Sequence, residues 1–595
     1  MKKQINRGDM FKILKHFSKK DIASALFAVL LIACQVGLEL KMPDYMSEIT
    51  KLVQTEGSEM SDILLNGSMM LLCALGALIA SCIVGYFISK LASRLSMNLR
   101  SELFHKVEDM DMEDVTEFST SSLITRTTND VMQIQMFVSM GAQMLVRAPM
   151  TAIWAIIKIA NKNWQWSTAT AVAVVILLTT ISIVVSLVLP RFKIVQKMLD
   201  RLNGVTRENL LGIRVVRAFN AEKYQENKFG KVNDELTNLR LFNQRVLSVM
   251  SPVINLIMYG LTLSIYFIGA YLIANSVMAE KITLFSDMVV FSSYAMHVIM
   301  SFLFLSMVFM MLPRAQVSAE RINEVLDETS KILDGERECG LEGEVGTVEF
   351  RNVSFKYPDA EEYLLEDISF KAERGQTVAF IGSTGSGKST LINLVPRFYD
   401  VTDGKVLVDG VDVRDYKLSA LNNKLGYVPQ RAVMFSGTVK SNVCFGENGK
   451  EKISDKKMRA AIKTAQGKDF VEKMDKEYDS HIAQGGTNVS GGQKQRLAIA
   501  RAVARDPEIF IFDDSFSALD YKTDTALRHA LKTHTKDATN LIVAQRIGTI
   551  MHADQILVLD KGKCVGKGTH KELMKNCKVY QQIALSQLTK EELDV

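Results

Sequence analysis

Cysteine is scarce in this 595-residue chain: seven in all, with no CxxC pair and no Cys/His spacing of a metal site. A scattered, odd-numbered set excludes a disulfide scaffold and fits reduced thiols. Charge of one sign is not in large excess either. The net charge of +5 is too small to point to nucleic acid as a partner. With 48% hydrophobic and 23% charged residues, the chain is neither disordered nor collagen-like. What it does contain is long apolar runs, nearly all before residue 315, followed by a Gly-rich, charge-rich half.

Six runs are long enough to cross a bilayer, near 22–48, 63–90, 137–160, 164–190, 250–275 and 284–313. Residues 168–189 carry no charge at all. Six such runs argue against buried helices of a soluble protein. Ahead of them Met10, Phe11, Leu14 and Phe17 share one helical face, with Lys12, Lys15, Lys19 and Lys20 around it, which predicts a helix lying on the membrane surface. Loop charge sets the orientation. The basic leader is expected inside. Loop 49–62, with Glu56, Glu59 and Asp62 against Lys51, is expected outside. The loop after span four, with Arg191, Lys193, Lys197, Arg201, Arg207, Arg214 and Arg217, is expected inside. The expectation is a multi-pass protein of a bacterial plasma (inner) membrane, with the lipid bilayer as a partner and both termini cytoplasmic. Both long inside loops read as helical extensions.

From about residue 343 the pattern becomes α/β. Segments 347–355, 377–381, 509–512 and 556–559 read as strands, and Asp560, Lys561 and Gly562 read as a hairpin turn. Helical stretches alternate with them, a nucleotide-binding layout. Gly382, Ser383, Thr384, Gly385, Ser386, Gly387, Lys388 and Ser389 fit G-x-x-x-x-G-K-[ST] in full, after a strand and before the helical run 390–395 that Thr390 opens. Glycines let backbone N–H groups approach phosphates, and a helix N-terminus adds a positive dipole end. Lys388 is expected to reach the β and γ phosphates, and Ser389 to ligate Mg²⁺. Asp513, at a strand end, is placed to be a second Mg²⁺ contact.

Val489, Ser490, Gly491, Gly492 and Gln493 follow Lys388 by about 100 residues. They closely resemble the LSGGQ signature of ABC ATPases. With six spans ahead, the chain resembles an ABC half-transporter of the exporter type over essentially its whole length. The fold class expected is an α-helical transmembrane bundle of six spans with long cytoplasmic extensions, fused to an α/β P-loop ABC ATPase domain. Residues 1–320 would form the membrane domain, 321–342 a linker and 343–595 the nucleotide-binding domain. The resemblance implies a dimer with two ATP molecules sandwiched between the ATPase domains, each held by one chain's cradle and the other chain's signature. Tyr357 matches the aromatic that stacks on adenine, and Gln430 the glutamine that touches Mg²⁺ and senses the membrane domain. Ser490 and Gly492 match the groups that bind the partner's γ-phosphate, and Ser517, Ala518, Leu519 and Asp520 match the D-loop. Loops 118–131 and 212–225 resemble those that bear coupling helices.

Two positions depart from the family pattern. Members that hydrolyse efficiently carry Glu directly after the strand-end Asp, where this chain has Asp514. They carry a switch His where this chain has Gln545. The shorter carboxylate loses reach toward an attacking water, and a neutral amide cannot relay a proton. Binding groups are intact, so the site is expected to hold MgATP and turn it over slowly. This resembles one subunit of a heterodimeric ABC exporter, often multidrug. Its partner would be a second, non-identical half-transporter. Its substrate would be a small hydrophobic or amphipathic compound; a lipid, peptide or haem-like substrate, or an ATP-gated regulatory or channel subunit, remain alternatives. Met-rich span six can line an adaptable pocket, with Met296 and Met300 among its residues. Glu39, Arg147, Asp287 and His297 are polar groups at membrane depth and are candidates for the substrate path.

Overall fold

A computed structural model of the chain describes residues 9–55, 57–160, 162–358, 360–589 and 592–593. The leader before Asp9 and the loop residue Glu56 lie outside the described residues. Two compact units emerge. One holds the chain up to Glu108 together with Ser119–Glu328; the other holds Asp109–Phe118 together with the chain from Thr329.

In the first unit six helices have the length and apolar composition of membrane spans: Lys19–Gln54, Met60–Glu108, Thr120–Ala160, Trp164–Val188, Glu222–Ala274 and Glu280–Leu326. Each of the six runs read from the sequence coincides with one of them, runs 164–190 and 250–275 passing its end by two residues and one. The second span shows why it packs as it does. Ala77, Ala80, Val84, Ile88 and Ala92 recur at helical spacing and are buried. Leu71, Leu72, Leu75, Leu78 and Ile79 are exposed, as a lipid-facing stripe requires. The first span begins at a capping box, in which the Ser18 hydroxyl accepts from the Asp21 N–H and the Asp21 carboxylate accepts from the Ser18 N–H. Before it, Asp9–Leu14 forms a short helix that takes in Met10, Phe11 and Leu14 and ends ahead of Phe17. Trp166 is fully buried beside Phe291, and its indole N–H donates to the Ile265 carbonyl at 3.1 Å, which satisfies the one polar group on the ring. The third span contains two wide π turns, Arg126–Asp130 and Phe137–Gly141, that sequence periodicity does not reveal.

The two long loops, after span two and after span four, are helical extensions, as the sequence suggests. The fourth span's helix continues to Leu211, and the short helix Ile213–Ala218 follows it. The segment that belongs to the second unit between spans two and three is Asp109–Phe118. Of loop 118–131, only Phe118 lies in that unit.

Among the described residues the second unit contains twelve strands: β1 (Val348–Phe355), β2 (Leu365–Ala372), β3 (Thr377–Gly382), β4 (Asp403–Val408), β5 (Val411–Asp412), β6 (Leu425–Val428), β7 (Gly437–Thr438), β8 (His481–Ile482), β9 (Ile509–Asp513), β10 (Thr539–Val543), β11 (Gln555–Asp560) and β12 (Lys563–Gly568). The main sheet has the order β12-β11-β3-β10-β9-β6. β6, β9, β10, β3 and β11 are parallel neighbours, and β12 closes one edge as an antiparallel hairpin. That hairpin turns through Lys561 and Gly562, both with positive φ, the conformation a tight hairpin turn needs. β3 and β9 are buried almost throughout, which is why they read as continuous apolar runs rather than alternating ones. A second, antiparallel sheet has the order β2-β1-β4-β5. Because the sheet is parallel, the carboxyl ends of β3 and β9 lie at the same edge. Gly382 ends one strand and Asp513 the other.

Residues 335–341, part of the segment read as a linker, run alongside the ATPase core. The Gly335 N–H donates to the Tyr416 carbonyl and the Leu341 N–H to the Asp409 carbonyl, each at 2.9 Å.

Candidate functional site

The loop from Gly382 to Gly387 wraps the end of β3 and feeds the helix Lys388–Asn393. Gly385 and Gly387 have φ of +83° and +90°, a region that side chains resist. A Cβ at Gly382 would lie 2.1 Å from the Leu559 carbonyl oxygen. The loop therefore needs glycine for its path as well as for phosphate access. The Lys388 ammonium folds back over the loop and donates to the Gly382 and Ser383 carbonyls at 2.9 and 2.7 Å. Burial pulls its pKa down, against the opposing charges of Asp514 and Asp513. Thr390, on the same helix, is paired with the Tyr357 hydroxyl at 3.1 Å.

The Ser389 hydroxyl donates to Asp513 at 2.8 Å. A hydroxyl beside a buried carboxylate is the donor set that holds Mg²⁺ when phosphates and water complete the octahedron. Among the described residues no group of three or more His, Cys, Asp or Glu suits a metal held by protein alone. The residues present thus fit a cation that arrives with the nucleotide. Burial raises the Asp513 pKa, with the Ser389 hydroxyl working the other way.

Asp514 is the centre of a small amide–carboxylate cluster. Gln545 Nε2 donates to Asp514 Oδ2 at 2.7 Å, and Gln430 Nε2 donates to the same oxygen at 3.3 Å. Asp514 also has positive φ, and its own carbonyl accepts from the Ser517 hydroxyl at 2.9 Å. Its pKa is raised by burial and pulled down by Gln430, Ser517, Lys388 and Arg546. The structure thus brings together three sequence-selected residues that lie far apart in the chain: Gln430, Asp514 and Gln545.

Tyr357 stands in an aromatic trio. Its ring meets Phe355 at 5.0 Å and Tyr399 at 5.4 Å, both edge-to-face. The motifs do not single out Tyr399, and no spacing rule would have found it.

The signature lies elsewhere in the unit. Ser490 caps the 15-residue helix Gly491–Arg505: its hydroxyl accepts from the Gln493 N–H, and Gln493 Oε1 accepts from the Ser490 N–H. Ser490 and Gly491 are exposed, and Gly492 and Gln493 half-buried. None of these groups bonds to the cradle among the described residues.

In the membrane unit Glu39 and Arg147 are paired, Arg147 Nη2 donating to both carboxylate oxygens at 2.9 Å. Asp287 is paired with Lys162. Met296, His297 and Met300 line an open groove of about 540 Å³ together with Tyr259, Thr262, Val289, Ser292 and Ser293. Other aromatic and Met residues of span six, among them Met288, Phe291 and Tyr294, are buried in the helix packing. A further pair is absent from the sequence reading: Lys158 donates to Asp44 at 2.6 Å, and the Tyr294 hydroxyl donates to the other Asp44 oxygen at 2.6 Å.

Comparison with known proteins agrees with this geometry. The family described as ABC transporter transmembrane region matches residues 25–302, and that described as ABC transporter matches 365–517. The chain is 38% identical over 520 residues to an uncharacterized ABC transporter ATP-binding protein of Mycobacterium tuberculosis, covering 87% of each chain. It is 32% identical over 500 residues to the ATP-dependent lipid A-core flippase of Pseudomonas putida, covering 83% of this chain and 81% of that one. Its fold resembles the structure of a bacterial Atm1-family ABC exporter with ATP bound, at a TM-score of 0.77 and 22% identity over 94% of this chain and 98% of that one. A six-span bundle, a complete phosphate cradle and these relatives together make the chain a member of the ABC transporters: a multi-pass half-transporter whose membrane region is fused to an ATP-binding, ATP-hydrolysing domain.

Proposed function

We propose that the chain is one half of a heterodimeric exporter of hydrophobic or amphipathic compounds, that it holds MgATP at a slowly hydrolysing site of its own, and that it lends its signature to a competent site on a non-identical partner. In this reading Tyr357 stacks on the adenine and residues Gly382–Thr390 cradle the phosphates. Ser389, Asp513 and Gln430 hold Mg²⁺, which supplies charge neutralisation at the phosphates. Asp514 and Gln545 face the γ-phosphate. Ser490, Gly491, Gly492 and Gln493 serve the partner's nucleotide. The membrane domain comprises 1–320, the linker 321–342 and the nucleotide-binding domain 343–595, in a bacterial plasma membrane with both termini inside.

One observation carries the reading: Asp514 and Gln545 are engaged with each other. The carboxylate that would polarise a water is one methylene shorter than Glu, about 1.5 Å of reach. One of its oxygens already accepts from two amides. A misplacement of about 1 Å costs on the order of 100-fold in rate. The Gln545 amide donates a hydrogen bond and carries no proton to relay. Binding is spared, since Lys388, Ser389 and Asp513 are all present and the Ser389 hydroxyl meets Asp513. A weakened site with a sound signature suits a dimer whose other half supplies Glu and His.

The open groove beside Met296, His297 and Met300 supports an amphipathic cargo. Its volume is within the usual range of about 300–1,000 Å³ for small-molecule pockets, and hydroxyls and thioethers share its lining. A lipid cargo is the second reading, favoured by relatives named as lipid A-core flippases.

The test is ATP turnover by the purified full-length chain alone. It is expected to be slow, and Asp514→Glu with Gln545→His is expected to raise it on the order of 100-fold. Fast turnover by the unaltered chain without a partner overturns the asymmetry.

A further inference from the structure

An amide near the far end of the chain holds the segment that carries Gln545. Gln587 follows the helix Lys578–Leu585. Its Oε1 accepts from the Ile547 N–H at 2.9 Å, and its Nε2 donates to the Gln545 carbonyl at 2.8 Å. The two bonds bracket Arg546. Ile547 opens the short helix Ile547–Ile550, whose N-cap residue Arg546 makes no capping bond with its side chain. The first N–H groups of a helix have no partner within it. Gln587 supplies the missing acceptor from 40 residues away. Its other end ties down the peptide from which the Gln545 side chain reaches Asp514.

The support for this clamp is firm. Tyr580, Ala584 and Leu593 are buried in one apolar cluster with Ala544, Ile547 and Ile550. His570 is bonded to the Tyr580 hydroxyl at 2.7 Å and to the Leu593 carbonyl at 3.3 Å. The C-terminal segment and the Gln545 segment are therefore packed on a common core. A positioning group works only when its own mounting is fixed in this way.

We propose that Gln587 is a positioning residue for the nucleotide site: its two backbone bonds hold Gln545 so that the Gln545 amide stays on Asp514, and the C-terminal segment thereby sets how long nucleotide is retained. The proposal rests on the reading that Asp514 and Gln545 face the γ-phosphate. It makes the C-terminal segment a place where nucleotide retention can be altered without touching any residue that meets the nucleotide.

The experiment measures release of trinitrophenyl-ATP, with Mg²⁺, from the full-length chain in lipid nanodiscs. Gln587→Ala is expected to shorten the residence time about threefold to tenfold, the scale of one ordinary hydrogen bond, the one that ties down the Gln545 carbonyl. Its unfolding midpoint should move little, because Gln587 is exposed. Gln587→Glu keeps the acceptor for Ile547 and loses the donor to Gln545, so its residence time should fall between the two. In a Gln545→Ala background Gln587→Ala should add nothing, because the clamp acts only through that side chain. Additive effects of the two substitutions, or an unchanged residence time in Gln587→Ala, overturn the proposal. Fast hydrolysis by the unaltered chain would defeat the slow-site reading while leaving this coupling readable, since it is measured on release.

Discussion

At the scale of single residues the nucleotide site is built at some expense to the fold. Asp513 is 5% exposed, and burial raises its pKa. A carboxyl whose folded pKa lies above its unfolded value contributes stability that is present below the unfolded value and is lost as pH rises through the folded one. At neutral pH the ionised Asp513 therefore costs the nucleotide-free domain stability. Asp513→Asn keeps an acceptor for the Ser389 hydroxyl and removes the charge. It is expected to raise the unfolding midpoint without nucleotide at pH 7, and the gain should vanish as pH falls below about 3.9, the ordinary aspartate value. The same variant should lose the stabilisation that MgATP gives the unaltered chain. Thermal scans across pH, with and without MgATP, check both. A lowered midpoint at pH 7 would contradict the linkage. The residues of this site differ in how legible they are in the sequence. Lys388, Ser389 and Asp513 follow from motif and strand context, because the chemistry demands those types at that spacing. Tyr399 and Gln587 do not, because their partners are set by tertiary packing across tens of residues, and neither an aromatic nor an amide has a spacing to betray it.

At the scale of elements, one residue serves two ends. Ser490 caps the helix Gly491–Arg505 and, in the proposed reading, contributes its hydroxyl to the partner's phosphate. The two duties separate by substitution. Ser490→Ala removes the cap at about 1 kcal/mol. Ser490→Asn retains a capping acceptor, so stability should hold, while the bulkier amide should still impair turnover at the partner's site. Denaturation curves and ATPase rates of the assembled transporter read the two effects independently; an unimpaired Ser490→Asn would remove Ser490 from the phosphate contact. Elements were legible where a strong period drives them. The six spans, β3, β9 and the β11–β12 hairpin all stand where apolar runs and turn residues indicate. The π turns of span three were hidden, since one extra residue per turn leaves no mark on composition. So was the helix Met112–Phe118, which is started by Asp111: its carboxylate accepts from the Asp114 N–H at 3.0 Å and from the Lys331 N–H at 3.1 Å. That second bond joins segments 220 residues apart.

At the scale of the membrane unit, charge is segregated by helix. Arg147, Lys158 and Lys162 come from span three and the residues just after it. Their carboxylate partners, Glu39, Asp44 and Asp287, come from spans one and six. Arg147 and Lys158 are eleven residues apart on the helix Ala142–Ala160, close to three whole turns, so these two cations project on one face, and Lys162 follows just beyond the helix end. Ionic groups at this depth are costly alone and persist when paired. The arrangement therefore selects which face of span three meets spans one and six, a register that apolar packing alone defines weakly. Removing one partner should hurt more than removing both. Glu39→Gln leaves Arg147 without its charge partner and is expected to destabilise the unit by about 2–3 kcal/mol, below the fully buried case because Arg147 is one-third exposed. Glu39→Gln with Arg147→Met should recover most of that loss. Thermal unfolding of the four variants of the cycle in nanodiscs decides it: if the double variant is as unstable as the sum of the singles, the pair does not act as a unit, and the orientation of span three must be set by packing.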